Sequence, residues 1–445
     1  MIPAPRFFWV LGAAALLMVA GVADPRLSAA ALAVDALLLL AWLVDAVRAG
    51  RVRPGAERVW PGMLVQGVDE RLTVRLTAGS RCEVELRETL SPALAEHPAR
   101  ERFSLTAGAA REWSIALTPL RRGEHECGAL TARILGPWRL AYRQRRLLEP
   151  QRRRVYPQVR WSGEVGVLLG LARRRQLGST PFAQLGAGSE PYALRQYLPG
   201  DPLAKIHWKS TARHGHPITR EETWERGVGL VVLLDCSRTM AGDDGERSKL
   251  DWALAASLAL ARVAVGRGDR VTVMAFSDRV ERLVRVGRSA RGVSRAYDAL
   301  YDVESRLCEP AYDLVAERAL AVESRGAAMV LLTSVTDLAA AEMLGEALLQ
   351  LRRRHRTLLV NLLDPELRRR VDAVPTTPVE AQAQIAGLGI RLANRSLERG
   401  LRRAGVRTVS CSADRLALET LGGYLALFGR QVAAGRRALR AVVGR

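Results

Sequence analysis

Two apolar stretches near the start of the chain constrain its fold most. Phe7 to Ala23 is a run of 17 residues without a charge, the lower limit for crossing a hydrocarbon layer roughly 30 Å thick. Asp24, Pro25 and Arg26 break it. Leu27 to Val47 is a second apolar stretch, with Asp35 in its middle and Asp45 near its end. A cleaved signal peptide would begin like the first run, with Arg6 on its flank. A second apolar stretch following four residues later reads instead as a helical hairpin. Residues 1–50 are therefore expected to form a transmembrane hairpin.

Arginine placement gives an orientation. Arg6 precedes the hairpin, Arg48, Arg51 and Arg53 follow it, and only Arg26 sits in the turn. Loops rich in positive charge stay on the cytoplasmic side, so both ends and the bulk of the chain are expected there, at the inner membrane. The five cysteines, Cys82, Cys127, Cys236, Cys308 and Cys411, are scattered, as in a reducing compartment. A carboxylate at Asp35 costs about 2.5–3.5 kcal/mol in the lipid core. Either it contacts a partner helix, or it lies close enough to water, or shielded within the hairpin, to be tolerated.

The net charge of +21 invites a nucleic-acid reading. Only Lys205, Lys209 and Lys249 are lysines, so 67 − 3 = 64 of the basic residues are arginine, a bias expected of a GC-rich genome. The arginines lie in short dispersed runs, such as Arg152 to Arg154 and Arg368 to Arg370, and aromatic residues make up only 5%. A nucleic-acid reader clusters its cations and interleaves stacking rings. A membrane-tethered arginine-rich nucleic-acid binder is therefore the alternative reading, and nucleic acid an unlikely partner.

Residues 51–160 alternate as an antiparallel β-sandwich does. Arg71 to Leu76, Cys82 to Leu86, Trp113 to Leu117 and Ala129 to Ile134 are expected strands, with Pro92, Pro98 and Gly108 between them and a turn at Arg121 to Glu124. His97 and His125 have no evident ligand partners, so this domain reads as a binding or spacer module.

Residues 161–228 read as a linker, rich in Arg, Gly and Gln from Arg173 to Gly188. It carries an unusual cluster: Arg195, Tyr197, Pro199, Gly200 and Asp201, then Ile206, Trp208 and Lys209, then Ala212 and Arg213, with Arg220 and Glu221 beyond. Pro199-Gly200-Asp201 is a turn by its chemistry. Two of the three lysines lie here. His207, His214 and His216 fall within ten residues, and His214 and His216 would share one face of a strand. Zinc-ligand spacings are missing, so a polar loop or edge strand is the favoured reading.

This cluster resembles the signature of the bacterial domain-of-unknown-function 58 family. The resemblance implies a whole-chain architecture of two membrane helices, a β region, the signature and a von Willebrand factor type A-like domain. It also implies a MoxR-type AAA+ ATPase as partner.

Residues 229–445 alternate buried strands with helices, which implies a doubly wound α/β sheet. Gly229 to Leu234 is a near-continuous apolar run, as a strand covered on both faces requires. Arg270 to Phe276, Ala327 to Thr333, Thr357 to Leu363 and Thr408 to Ser410 are further strands. Helices are expected over Ser248 to Val265, Asp337 to Arg353 and Asp414 to Leu427.

The first strand ends in Asp235-Cys236-Ser237-Arg238-Thr239, where ligands of such sheets bind. Asp235, Ser237 and Thr239 resemble the first ligand group of the metal-ion-dependent adhesion site of von Willebrand type A domains. That resemblance implies Mg²⁺, a hard cation that prefers oxygen ligands. It also implies a threonine on a second loop, near Pro310 to Asp313, and an aspartate directly after Thr333. Here Tyr312 offers the only hydroxyl on that loop, Ser334 follows Thr333, and Asp337 stands three residues later. The site is therefore degenerate, and Asp235 could equally cap the loop and satisfy backbone donors.

The sequence contains no Gly-x-x-x-x-Gly-Lys-Ser/Thr loop, no Gly-x-Ser-x-Gly elbow and no His-Glu-x-x-His. No nucleophile and base are placed together. The expectation is a non-catalytic, membrane-anchored scaffold or adaptor with no catalytic residues; an unrecognised enzyme is the weaker alternative.

Overall fold

The computed structural model describes residues 1–20, 25–95, 99–159, 191–197, 206–222, 228–243, 247–323, 326–335 and 337–428. The chain divides into two units, Met1–Gln158 and Val159–Arg445.

The first unit runs β1 (Ile2–Pro3), α1 (Pro5–Ala20), α2 (Pro25–Arg51), β2 (Gly55–Val59), β3 (Leu64–Val65), β4 (Glu70–Thr77), β5 (Cys82–Leu90), β6 (Ala99–Leu105), β7 (Ala110–Leu117), β8 (Gly123–Leu135), β9 (Ala141–Leu148) and β10 (Gln151–Tyr156). The expected strands fall within β4, β5, β7 and β8. Strands β2, β4 and β7 form one antiparallel sheet, and β8 pairs with β5 on one side and with β9 and β10 on the other. Period-2 alternation sends Leu72, Val74 and Leu76 of β4 and Leu130, Ala132 and Ile134 of β8 into one shared core. A buried ion pair links the sheets: Arg58 of β2 grips Glu88 of β5 at 2.6 and 3.2 Å.

The two apolar stretches form α1 and α2, which pack against each other. The expected turn at Asp24 begins in residues 21–24, outside the described residues. Of the two expected spans, one helix among the described residues, Ala29–Arg51, is long and apolar enough to cross a membrane by length and composition. Helix α1 has 16 residues and spans about 24 Å, short of the hydrocarbon thickness. Phe8, Trp9, Leu16, Val19, Leu37 and Leu40 are exposed, so the helical pair leaves broad apolar flanks uncovered. Oδ1 of Asp35 is enclosed without a hydrogen-bond partner.

Both ends of this pair are fixed to one strand edge. Strand β1 lies antiparallel to β9, matching Ile2 with Tyr142 and Pro3 with Ala141, and the Ala4 N–H donates to the Leu140 carbonyl at 2.8 Å. At the far end of α2, Asp45 is 0% exposed. Its carboxylate accepts the backbone N–H groups of Trp138 at 2.8 Å, Leu140 at 2.8 Å and Ala141 at 3.0 Å. Gly136 permits this approach, since a Cβ there would stand 2.3 Å from the carboxylate. Arg48 lies over the Trp138 ring, 4.7 Å from its centroid. The sequence shows Asp45 only as a charge in an apolar stretch; its role is to clamp the β8–β9 turn.

The second unit runs β11 (Pro191–Gln196), α3 (Trp208–His214), β12 (Ile218–Glu222), β13 (Gly229–Asp235), α4 (Lys249–Gly266), β14 (Arg270–Phe276), β15 (Val280–Gly287), α5 (Ala290–Leu300), α6 (Tyr312–Val322), β16 (Ala328–Thr333), α7 (Leu338–Arg352), β17 (Arg356–Leu362), α8 (Pro365–Asp372), α9 (Pro378–Arg403), β18 (Arg407–Cys411) and α10 (Leu416–Leu427). Its main sheet has the order β15-β14-β13-β16-β17-β18, parallel throughout except for β15. Alternate residues of β13 enter opposite cores. Leu230, Val232 and Leu234 meet Leu250, Leu254 and Leu258 of α4, while Val231 and Leu233 join the core that holds Leu344 and Leu348 of α7. The sheet is therefore wound on both faces, as its apolar runs require. The chain leaves β13 for β14 and β15 on one side and then crosses to β16 on the other side of β13, which makes its carboxyl end the switch point where such sheets bind.

Asp45→Ala leaves three backbone N–H donors without their carboxylate, and Gly136→Ala drives a methyl into it. Each is expected to destabilise the first unit by about 2–3 kcal/mol, and the double variant by less than the sum. Thermal unfolding in detergent of the single and double variants checks this.

Candidate functional site

The carboxyl end of β13 carries a closed cluster of hydroxyls around one buried carboxylate. Asp235 is 0% exposed. Its Oδ1 accepts the Ser237 N–H at 2.8 Å. Its Oδ2 accepts the hydroxyls of Thr239 at 3.1 Å, Thr333 at 2.5 Å and Tyr312 at 3.3 Å. Ser237 Oγ and Thr239 Oγ1 stand 3.1 Å apart, and the Tyr312 hydroxyl is 2.9 Å from Thr333 Oγ1. Burial pushes the Asp235 carboxyl above its ordinary range, and the hydrogen bonds from Thr333, Ser237 and Thr239 oppose that. Burial and the neighbouring Asp235 charge hold the Tyr312 hydroxyl protonated well beyond the usual tyrosine range.

Asp235, Ser237 and Thr239 thus come together, and Tyr312 and Thr333 complete the cluster. Tyr312 is the first residue of α6, so the second loop supplies its hydroxyl from a ring rather than from a threonine. Asp337 does not join them. It caps α7 by accepting the Ala340 N–H at 2.7 Å and pairs with Arg238 at 3.3 Å.

Two charged residues complete the neighbourhood that the motif reading missed. Lys249, the first residue of α4, is buried. Its Nζ lies 3.4 Å from the Thr239 carbonyl and 3.5 Å from Ser334 Oγ, and it pairs with Asp364. Asp364 follows β17 and caps α8, its Oδ1 accepting the N–H groups of Glu366 at 2.8 Å and Leu367 at 3.2 Å. Burial is the largest single influence on Asp364 and opposes its ionisation, but the Lys249 ammonium together with the N–H groups of Leu367 and Glu366 holds the carboxyl below its ordinary range. The sequence does contain a signal for Lys249, as one of three lysines in an arginine-saturated chain.

These donors do not suit Mg²⁺. Octahedral Mg²⁺ needs free oxygen lone pairs and charge balance. Here Asp235 is the one carboxylate among the clustered hydroxyls, Ser334 stands where the resemblance implies an aspartate, and the Lys249 ammonium stands beside the loop. Among the described residues, no group of three or more His, Cys, Asp or Glu side chains is placed to hold a metal ion.

The rim is exposed. Arg238 pairs with Glu309 at 2.7 Å and with Asp337, and its N–H donates to the Cys308 carbonyl at 3.1 Å. Leu307 beside them is 89% exposed.

The signature folds as a hairpin with an inserted helix rather than as a plain linker. Strands β11 and β12 pair antiparallel, Ala193 matching Glu221 and Arg195 matching Thr219. Ile206 is buried and bridges to Thr219, and the Tyr197 N–H donates to the Pro217 carbonyl at 2.8 Å. Trp208, Lys209, Ala212 and Arg213 lie on α3, all exposed, Trp208 by 68%. Pro199, Gly200 and Asp201 lie outside the described residues, as does the Arg173 to Gly188 stretch. His214 and His216 do not share a strand: His214 ends α3 and Gly215 caps it with φ of 74°. Their rings meet edge to face at 6.2 Å. His207 caps α3 through Ser210.

A doubly wound α/β unit with a closed Asp-hydroxyl cluster at its switch point, joined to a signature hairpin, is what the second unit defines. Residues 193–374 match the family described as "Protein of unknown function DUF58", the family that the signature resembles. Uncharacterized proteins of Mycobacterium bovis and Mycobacterium tuberculosis are 32% identical over 102 residues, 23% of this chain and 31% of theirs. The chain thus spans about a third of the length of the curated relatives it matches. Among solved structures, the SpRpn10 VWA domain is similar, with a TM-score of 0.29 and 12% identity over 44% of this chain and 94% of that one. β-Glucosidase 3B from Thermotoga neapolitana has a TM-score of 0.12 and 13% identity over 23% of this chain and 17% of that one.

A carboxyl held below its ordinary value stabilises the fold in full above that value and loses the effect as pH falls through its folded one. The stability advantage of the parent over Asp364→Asn should therefore be complete at neutral pH and shrink below about pH 4. Urea unfolding of both proteins across this range measures it.

Proposed function

We propose that this protein is a non-catalytic, membrane-anchored scaffold. Its helical pair enters the cytoplasmic membrane from the cytoplasmic side, and the second unit presents the rim of its closed site to protein partners. The observation that carries this reading is the double fixing of the helical pair. Ile2 and Pro3 at one end and Asp45 at the other are held by the same β8–β9 edge, so both ends stand on one side of whatever the apolar flanks enter. Arg6 and Arg48 flank those ends, as cytoplasmic placement favours.

The site supports a binding role rather than catalysis. Each oxygen of Asp235 already accepts a hydrogen bond, and the carboxylate is sealed from solvent, so it has no access to a substrate. The exposed Leu307, with the Arg238–Glu309 pair beside it, is the kind of mixed apolar and charged rim that protein partners use. The family resemblance directs the partner reading to a MoxR-type AAA+ ATPase, in chaperone-like or complex-assembly work.

Protease added to intact spheroplasts should spare the hydrophilic part of the chain, and protease added to inverted vesicles should digest it. Crosslinking before detergent extraction should recover a MoxR-type ATPase, and Leu307→Arg should reduce that recovery several-fold. Digestion in intact spheroplasts would overturn the orientation; repeated recovery of no ATPase would overturn the partner.

A further inference from the structure

Lys249 places a cation of the chain's own beside the Asp235 cluster. Lys249 starts α4 immediately after its N-cap Ser248, and a capping box with Asp251 fixes that helix start. The Lys249 N–H also donates to the Gly242 carbonyl at 2.7 Å, so backbone as well as side chain is anchored. Gly242 leaves room for the lysine stem: a Cβ there would stand 3.2 Å from Cε and 3.4 Å from Nζ. The ammonium then faces three neighbouring strand ends. It approaches the Thr239 carbonyl after β13, Ser334 Oγ after β16 and the Asp364 carboxylate after β17.

We propose that the Lys249 ammonium is the permanent cation of this site, bridging the carboxyl ends of β13, β16 and β17 where a divalent ion would otherwise do so. The site is therefore independent of metal. Three features of the chain agree with that assignment. Replacing an aspartate by Ser334 removes a negative charge that a divalent ion would balance and a single ammonium would not. The second-loop position is filled by the buried Tyr312 ring, whose hydroxyl already contacts Asp235 and Thr333. A second cation placed in the same crevice would meet the repulsion of a buried ammonium. A lysine serves here better than arginine, because a compact ammonium with three donors can point at a carbonyl, a hydroxyl and a carboxylate at once. This explains why one of the few lysines stands at this position. The inference stands apart from the membrane and partner readings and does not depend on them.

The test is a thermal-unfolding titration of the full-length protein in detergent, after chelation, with MgCl₂ or MnCl₂ against KCl of equal ionic strength. A ligand that binds only the folded state raises the midpoint in a saturable way. The expected result is no saturable shift for the parent protein. Lys249→Ala is expected to lower the midpoint by roughly 5–10 °C, with partial recovery in ethylammonium but not in tetramethylammonium. Lys249→Ala combined with Ser334→Asp should gain a Mg²⁺-dependent rise that neither parent nor single variant shows. A saturable Mg²⁺ shift in the parent that Asp235→Ala abolishes would overturn the proposal. So would a Lys249→Ala variant as stable as the parent. Where Lys249→Ala fails to fold, the parent titration alone still decides.

Discussion

The second unit is organised around one buried carboxylate. Asp235 ends the central strand of a sheet covered on both faces, where water cannot solvate it. An isolated charge in such a place is costly, and the fold meets the cost by converging donors from three segments. The Ser237 N–H and Thr239 come from its own loop, Tyr312 from α6, and Thr333 from the end of β16. The partners lie 77 and 98 residues away for Tyr312 and Thr333, so the cluster exists only once β13 and β16 are paired. Lys249 extends the same logic to β17 through Asp364. At the switch point of this sheet, the donors to the carboxylate all come from the chain itself.

The first unit solves a mechanical problem with a similar device. The long apolar helix α2 leads into β2 through a short connection. Asp45 ties α2 to the β8–β9 turn by accepting the N–H groups of Trp138, Leu140 and Ala141, and hydrogen bonds to a carboxylate are stronger than neutral ones. Gly136 is required because any side chain would occupy the carboxylate's place. With β1 held on β9, the two ends of the helical pair are fixed within one turn region.

Much of the fold is legible in the sequence, for a physical reason. Strands buried on both faces must be apolar throughout, so β13, β14, β16 and β17 appear as runs, and their ends match the expected ones within a residue. Strand β15 is missed because it is an antiparallel edge with a largely polar face, and α9 because its 26 residues mix arginines with apolar positions and bury only Gly387, Asn394 and Leu401. The Asp-x-Ser-x-Thr motif locates the site because its three residues are adjacent in sequence. Lys249 and Asp364 are separated by 115 residues, and Asp45 and Trp138 by 93, so only the folded chain pairs them. What the sequence does offer for Lys249 is rarity: it is one of three lysines among 67 basic residues.

The central claim is that the Asp235 cluster is complete from its own residues. Amide hydrogen exchange over 235–240, followed in EDTA and again in excess Mg²⁺, tests it most directly, because the Ser237 N–H is bound to the carboxylate itself. The account predicts slow exchange at the same rate in both solutions. Rapid exchange in EDTA that becomes slow only when Mg²⁺ is added would contradict it.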